Sequence, residues 1–249
     1  MHRLDARVKL LLALALVLCV SLMPVAAWPV YILLLALILS AAILSELRVR
    51  PLLRRSMVAL PFALAALPLL LTVPGQTAVA LRLGPLHLAV TVPGVERFAS
   101  IVVRSWLSVQ VAILLTATTQ LPDLLVAMGQ LHMPRLLVAI LSLMWRYLAV
   151  LVDEAIRMMR ARDARSASWS GRGGGTLAWR ASVTGSMAGS LFLRGLERSE
   201  RIHNAMLSRG YDGSIRGIAV PPLEWRSRLL VLLGLIVVLA LLLFGYWVA

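Results

Sequence analysis

Apolar residues run along this chain in blocks too continuous for helices with one wet face, as in Leu10 to Val20, Tyr31 to Leu44 and Leu229 to Val248. Each approaches the ~20 residues that the hydrocarbon core of a bilayer requires of a helix. With the shorter blocks between them, the pattern predicts five transmembrane helices, over roughly 8–23, 29–46, 57–73, 98–118 and 228–248. Residues 74–96 instead interrupt two short apolar stretches with Pro74-Gly75, Gly84-Pro85 and Pro93-Gly94, the punctuation of an external loop with a candidate hairpin.

Between the fourth and fifth spans the pattern changes. Pro134 is suited to open a helix, because a first-turn proline loses no hydrogen bond. The apolar run Leu136 to Val152 then continues, without a breaker, into Asp153, Glu154, Arg157, Arg160, Arg162, Asp163 and Arg165. Spacings of three and four place Glu154 and Asp153 within reach of Arg157 on one face. Hydropathy leaves insertion of Leu136 to Val152 open, since Arg146 costs about 2.5 to 3.5 kcal/mol at a helix centre while each Leu, Ile or Val gains about 0.3 to 0.6. The unbroken charged continuation favours a helix beside or under the membrane. Gly171 to Gly175 reads as a flexible connector, after which a second long helix is predicted from about Trp179 to Arg209. Its first half carries Gly185, Ala188 and Gly189, which suit close packing. Its second half carries the Glu197 and Arg201 pair, with Gly210 as the C-terminal cap and Arg209 where a cation is favoured. Tyr211-Asp212-Gly213 then turns the chain, and Pro221-Pro222 leads into the last span.

Composition confirms the class. At 60% apolar and 14% charged, with a mean hydropathy of +0.88, the chain is far from the roughly 45–50% apolar and roughly 25% charged make-up of soluble domains. The expected fold is all-α, a polytopic integral membrane protein of about five transmembrane helices plus long cytoplasmic coupling helices. The 25 basic against 11 acidic residues give +14, and arginine at span ends marks the cytoplasmic side. The turn from Met23 to Pro29 is uncharged, whereas Arg48, Arg50, Arg54 and Arg55 follow the second span. The turn is therefore placed outside, the cluster inside, the N-terminus in the cytoplasm and the C-terminus outside. Residues 1–119 form an N-terminal membrane domain with four spans, 120–227 a cytoplasmic coupling region of long helices, and 228–249 a C-terminal transmembrane helix. Arg3, Arg7 and Lys9 before an apolar stretch imitate a signal peptide, but Asp5 and the next run from Tyr31 favour a first span.

Several chemistries lack their residues. Lys9 is the only lysine, so no G-x-x-x-x-G-K-[ST] phosphate loop exists, and this chain is not expected to hydrolyse ATP. Cys19 is the single cysteine, which excludes a disulfide within the chain. His2, His87, His132 and His203 are scattered without ligand spacing, so neither a bound metal nor a cofactor is expected. A second class, an intramembrane enzyme, would need paired carboxylates, histidines or a Ser/His arrangement inside the spans, and these hold none. A nucleic-acid binder would use the basic region, but its acidic pairs and apolar faces suit protein contact better. Arg104, seven residues from Arg97 and roughly 10 Å deeper, has three readings: snorkelling, slightly favoured, a packed polar pocket, or contact with a partner membrane subunit. Ser105, Ser108, Gln110, Thr116, Thr118 and Thr119 on the same helix suggest protein contact.

Two triplets share a design, an arginine between small residues at the end of a charged helix: Ala164-Arg165-Ser166 and Ser208-Arg209-Gly210. Small neighbours allow close approach, and a guanidinium offers a planar fork of donors to a carboxylate. Solvated helix ends that complement the helix dipole are the ordinary alternative. The surrounding sequence shifts the balance toward docking. Gln120-Leu-Pro-Asp-Leu-Leu, His132-Met-Pro-Arg-Leu-Leu-Val, Leu143-Met-Trp-Arg-Tyr-Leu-Ala-Val-Leu-Val-Asp-Glu and Ala205-Met-Leu-Ser-Arg-Gly-Tyr-Asp-Gly resemble the transmembrane T component of energy-coupling-factor transporters, the EcfT/CbiQ family, and most of all its cobalt type. The opening from His2 is similar too, although Ala6 stands where the family commonly has proline. The likeness covers nearly the whole chain and is strongest from Leu121 to Gly213.

The resemblance implies a non-catalytic permease subunit of the bacterial inner membrane, multi-pass and in contact with lipid. It implies that the two triplets dock into grooves on two ABC-type ATPases while other helices hold a substrate-specific membrane subunit, the cobalt-type S component. Arg165 and Arg209 inherit the docking role, and Ala164, Ser166, Ser208 and Gly210 the close approach; Ser166 stands where glycine is frequent. Cobalt is the cargo this implies, with nickel or a vitamin as alternatives.

Overall fold

The computed structural model describes residues 4–46, 49–59, 61, 64–74, 76–83, 86–166, 176–213 and 223–248. The expected connector from Gly171 to Gly175, Gly84-Pro85 and Pro221-Pro222 lie outside the described residues. The helices are α1 (Ala6–Leu22), α2 (Trp28–Leu44), α3 (Val49–Ser56), α4 (Leu69–Thr72), α5 (Val92–Thr118), α6 (Leu121–Gln130), α7 (Arg135–Ser166), α8 (Leu177–Ser208) and α9 (Trp225–Val248). The chain divides into two compact units, Met1–Ala127 with Val220–Ala249, and Met128–Ala219.

The fold is helical, as composition requires, with one ribbon added. Strands β1 (Thr77–Leu83) and β2 (Leu86–Thr91) pair antiparallel, Leu81 opposite Leu88 and Leu83 opposite Leu86, so the punctuated stretch does hold a hairpin. Residues 57–73 differ from one continuous span. Their described part forms short 3-10 turns at Met57–Ala59 and Leu64–Ala66, followed by α4. Pro61 and Pro68 supply the reason, since each lacks an N–H and clashes with the carbonyl four residues back. By length and composition α5, α9 and Arg135–Arg165 of α7 suffice to cross a membrane, and α2 is a shorter apolar helix.

Local signals set the ends. Asp5 caps α1 by accepting from the Arg7 N–H at 3.1 Å. Thr91 caps α5, its hydroxyl accepting from the Gly94 N–H and donating to the Val73 carbonyl. His132 takes φ +66° just past α6, where the Met133 N–H reaches back to the Met128 carbonyl. A histidine serves there in the left-handed cap usually given to glycine.

In the first unit α1 packs on α5 and α9, and α2 on α5. Their core joins Cys19, Val20 and Met23 with Val30, Tyr31, Leu34 and Ile38, and with Leu107 and Val111 of α5. Helices α1 and α9 run in the same direction. Gly234 lies at Leu12 and Gly245 at Met23, the Cys19 thiol donates to the Val238 carbonyl at 3.6 Å, and the Tyr246 hydroxyl donates to Leu22 at 3.1 Å. The Lys9 ammonium donates to the Thr118 carbonyl at 3.0 Å, which sets the start of α1 beside the end of α5, where the helix dipole favours a cation. The starts of α1 and α9 and the end of α5 thus share one side.

Arg104 has a protein partner within the first unit. Its Nε donates to the Tyr31 hydroxyl at 2.8 Å, and its guanidinium carbon lies 5.9 Å from the ring centroid. The same hydroxyl donates to the Pro24 carbonyl at 2.9 Å, so one phenol links α5 to the turn before α2. Gln110 and Ser100 of α5 are buried, in keeping with protein contact, whereas Thr116 is exposed and donates to the Ala112 carbonyl. Tyr31→Phe is expected to cost about 1.5 kcal/mol, near the upper end for a hydrogen bond between membrane helices, because it strips a cation of its acceptor. Thermal unfolding in detergent reads this directly, and an unchanged midpoint would show that the phenol does not anchor Arg104.

Candidate coupling site on two long helices

The second unit is built on α7 and α8, each of 32 residues. Pro134 opens α7 as expected, its carbonyl accepting from the Leu137 and Val138 N–H groups. Helix α8 begins before Trp179 because the Thr176 hydroxyl accepts from the Trp179 N–H at 3.3 Å. At its far end the Gly210 N–H bonds the Leu207 carbonyl and the Tyr211 N–H the Met206 carbonyl, a Schellman closure. Gly210 sits at φ +77°, where a side chain would be strained.

These helices bury little against each other. No residue of α8 is buried, and in α7 only Ala139 among the apolar residues is. They are antiparallel. A cleft of about 590 Å³ brings Ser142, Arg146 and Tyr147 of α7 to Ile202, Met206 and Arg209, and a second of about 880 Å³ brings Glu154 to Arg165 together with Trp179 to Arg194.

The two triplets are therefore not brought together. Arg165 lies in the last turn of α7 and Arg209 just past the end of α8, and both are exposed. Counted through the level at which Glu154 of α7 meets Arg194 of α8, Arg165 and Arg209 are about 38 Å apart along the helices, at 1.5 Å per residue. Ala164 is exposed, Ser166 is the last residue of α7, and the Ser208 hydroxyl donates to the Asn204 carbonyl at 2.6 Å. No other part of the described chain lies within 4 Å of where a Gly210 Cβ would stand, so its backbone is open to an approaching surface. Leu136, Ile140, Met144, Leu148 and Val152 recur every four residues of α7 and are all exposed.

One polar group not singled out by the sequence as a junction is Glu154. Its Oε2 accepts from Arg157 at 2.7 Å and its Oε1 from Arg194 of α8. Hydrogen bonds from Arg157 and then Arg194 hold this carboxyl below the usual carboxylate range. A carboxylate with a depressed folded pKa keeps its contribution above its unfolded value of ~4.3 and loses it as pH falls through the folded one. The junction is thus intact at neutral pH. Among the described residues no group of three His, Cys, Asp or Glu is placed to hold a metal ion.

Apolar spans, one packed helical unit and a second unit of two long, mostly exposed helices define an integral membrane protein. The model of the CbiQ family, described as cobalt transport protein, matches residues 1–220, and the chain belongs to that family of membrane transport proteins. It is 27% identical over 160 residues to the cobalt transport protein CbiQ of Rhodobacter capsulatus, covering 64% of this chain and 63% of that one. It is 28% identical over 164 residues to the energy-coupling factor transporter transmembrane protein EcfT of Brevibacillus brevis, covering 62% and 60%. An uncharacterised protein of Methanocaldococcus jannaschii is 28% identical over 214 residues, covering 84% and 70%. A permease component of this family is not an enzyme.

Proposed function

We propose that the chain is the transmembrane coupling subunit of an energy-coupling-factor importer, passing the motion of two ABC-type ATPases to a substrate-specific membrane subunit, with cobalt as cargo. The observation that carries this is the placement of Arg165 and Arg209, exposed at opposite ends of one antiparallel helix pair. Two separated sockets of a dimeric motor, each lined by carboxylates, would take one guanidinium apiece. Similarity to the EcfT relative supports the class, and similarity to the cobalt transport protein CbiQ supports the cargo.

In this reading residues 120–227 lie at the cytoplasmic face and the N-terminus is cytoplasmic. The shared side of the α1 and α9 starts and the α5 end, which holds Lys9, is then the inner one, in line with the basic cluster after α2. The exposed apolar stripe of α7 faces lipid or the substrate-specific subunit. When nucleotide draws the ATPases together, the seated arginines move with them and the long helices carry the displacement to that subunit.

The test is assembly and uptake. Affinity purification of the chain, co-expressed with an ABC ATPase pair and a cobalt-type S component, is expected to recover all partners. Vesicles holding the complex are expected to take up radioactive cobalt only with ATP. Recovery of the chain without ATPases would overturn the proposal; ATP-driven uptake of nickel or a vitamin in place of cobalt would overturn only the cargo.

A further inference from the structure

The two clefts between α7 and α8 lie on either side of one junction. Toward Arg165 the helices leave about 880 Å³ unfilled, toward Arg209 about 590 Å³. Between these openings Leu151 meets α8 at Gly195, where an added Cβ would stand 3.8 Å from its Cδ2. One turn further along α7, Glu154 takes Arg194. Contact is therefore concentrated at one level, with room for the helices to swing above and below it.

We infer that Glu154 is the positioning residue of this junction, pinning α7 to α8 through Arg194 so that the pair turns about a fixed point instead of sliding. This rests on the coupling role proposed above. Division of labour at the carboxylate supports it. Arg157, three residues along the same helix, holds Oε2 and fixes the rotamer, which leaves Oε1 aimed at α8. The Glu154 side chain is 22% exposed while Arg194 is 59% exposed, and a pair at that exposure adds little to folding. Its consequence is geometric, because so little apolar packing competes to set where the helices meet. From the junction to the tips is 11 residues to Arg165 and 15 to Arg209, or about 16 and 22 Å. A small turn at the pin is thus magnified at both arginines, whereas a slip along the helices would move each tip along the axis by no more than the slip itself.

The test uses the full chain in lipid nanodiscs, with Cys19→Ala as background and spin labels at the exposed positions Arg160→Cys of α7 and Ala181→Cys of α8, on the Arg165 side of the junction. Wild-type pinning is expected to give one narrow distance distribution, and Glu154→Gln to lose it. The charge exchange Glu154→Arg with both Arg157→Glu and Arg194→Glu, which reverses every charge at the junction, is expected to restore it, a rescue that a general loss of folding would not show. In the assembled transporter Glu154→Gln is expected to retain ATPase capture and lose transport per ATP hydrolysed. A distribution unchanged by Glu154→Gln, or one not restored by the exchange, overturns the inference. Failure of the wild-type chain to capture ATPases would instead strike the coupling role and leave the distance result to stand alone.

Discussion

Arg165→Glu and Arg209→Glu are each expected to weaken ATPase capture by about 30-fold or more, and the two together to abolish it. Truncating one partner of a buried charge pair across an interface costs about 2 to 5 kcal/mol, and 1.4 kcal/mol is a factor of ten in affinity. Reversal adds repulsion to that loss. Folding is expected to be untouched, because both side chains are exposed and surface substitutions of this kind stay within about 0.5 kcal/mol. Gly210→Val gives an independent arm. It forces a β-branched residue to φ +77°, which costs roughly 1–2 kcal/mol, and it covers the backbone beside Arg209. Capture is expected to fall even with the arginine present. Co-purification with a thermal melt of each variant reads both quantities, and ATPase recovery at wild-type levels by the double reversal would remove the basis of the coupling role.

What could be read from sequence here is what depends on near neighbours. Pro134 and Gly210 bracket α7 and α8 because each acts through its own backbone, and both sit where the structure uses them. The apolar runs α1, α2, α5 and α9 follow from continuous hydrophobicity alone. The break over 57–73 is encoded in Pro61 and Pro68, against the overall apolarity of the stretch, which by itself predicts one span. Glu154 shows the boundary most clearly. Spacing gives its contact with Arg157, three residues away, yet Arg194 is 40 residues further along, and only the antiparallel seating of α8 brings it there. The same seating separates the two arginine triplets, which a one-dimensional reading pairs by likeness without placing them. Tyr31 is a further case: an apolar run hides a phenol that accepts from Arg104, 73 residues away.

Two glycines of α9 are expected to respond oppositely to enlargement. An added Cβ at Gly234 would collide with Leu12, and one at Gly245 with the sulfur of Met23; in each case the obstacle is the end of a flexible side chain. What differs is where that end can go. Leu12 and Gly234 both line an apolar cavity of about 370 Å³, so Leu12 has space to turn into, and Gly234→Ala is expected to be neutral or slightly stabilising, since alanine replaces the helix-interior residue of greatest backbone freedom. Met23 is 2% exposed and lies among Ala27 and Val30, both at 0%, so it has nowhere to move without displacing the start of α2. Gly245→Leu is therefore expected to destabilise the first unit by about 1–3 kcal/mol, the usual cost of overpacking, and to loosen the Tyr246 to Leu22 hydrogen bond beside it. Met23→Ala in the Gly245→Leu background is expected to recover part of that loss, because it removes the atoms in the way. Thermal unfolding in detergent for the two single variants and the rescue pair decides the matter. Destabilisation by Gly234→Ala as large as that by Gly245→Leu would mean that the cavity beside Leu12 gives no relief.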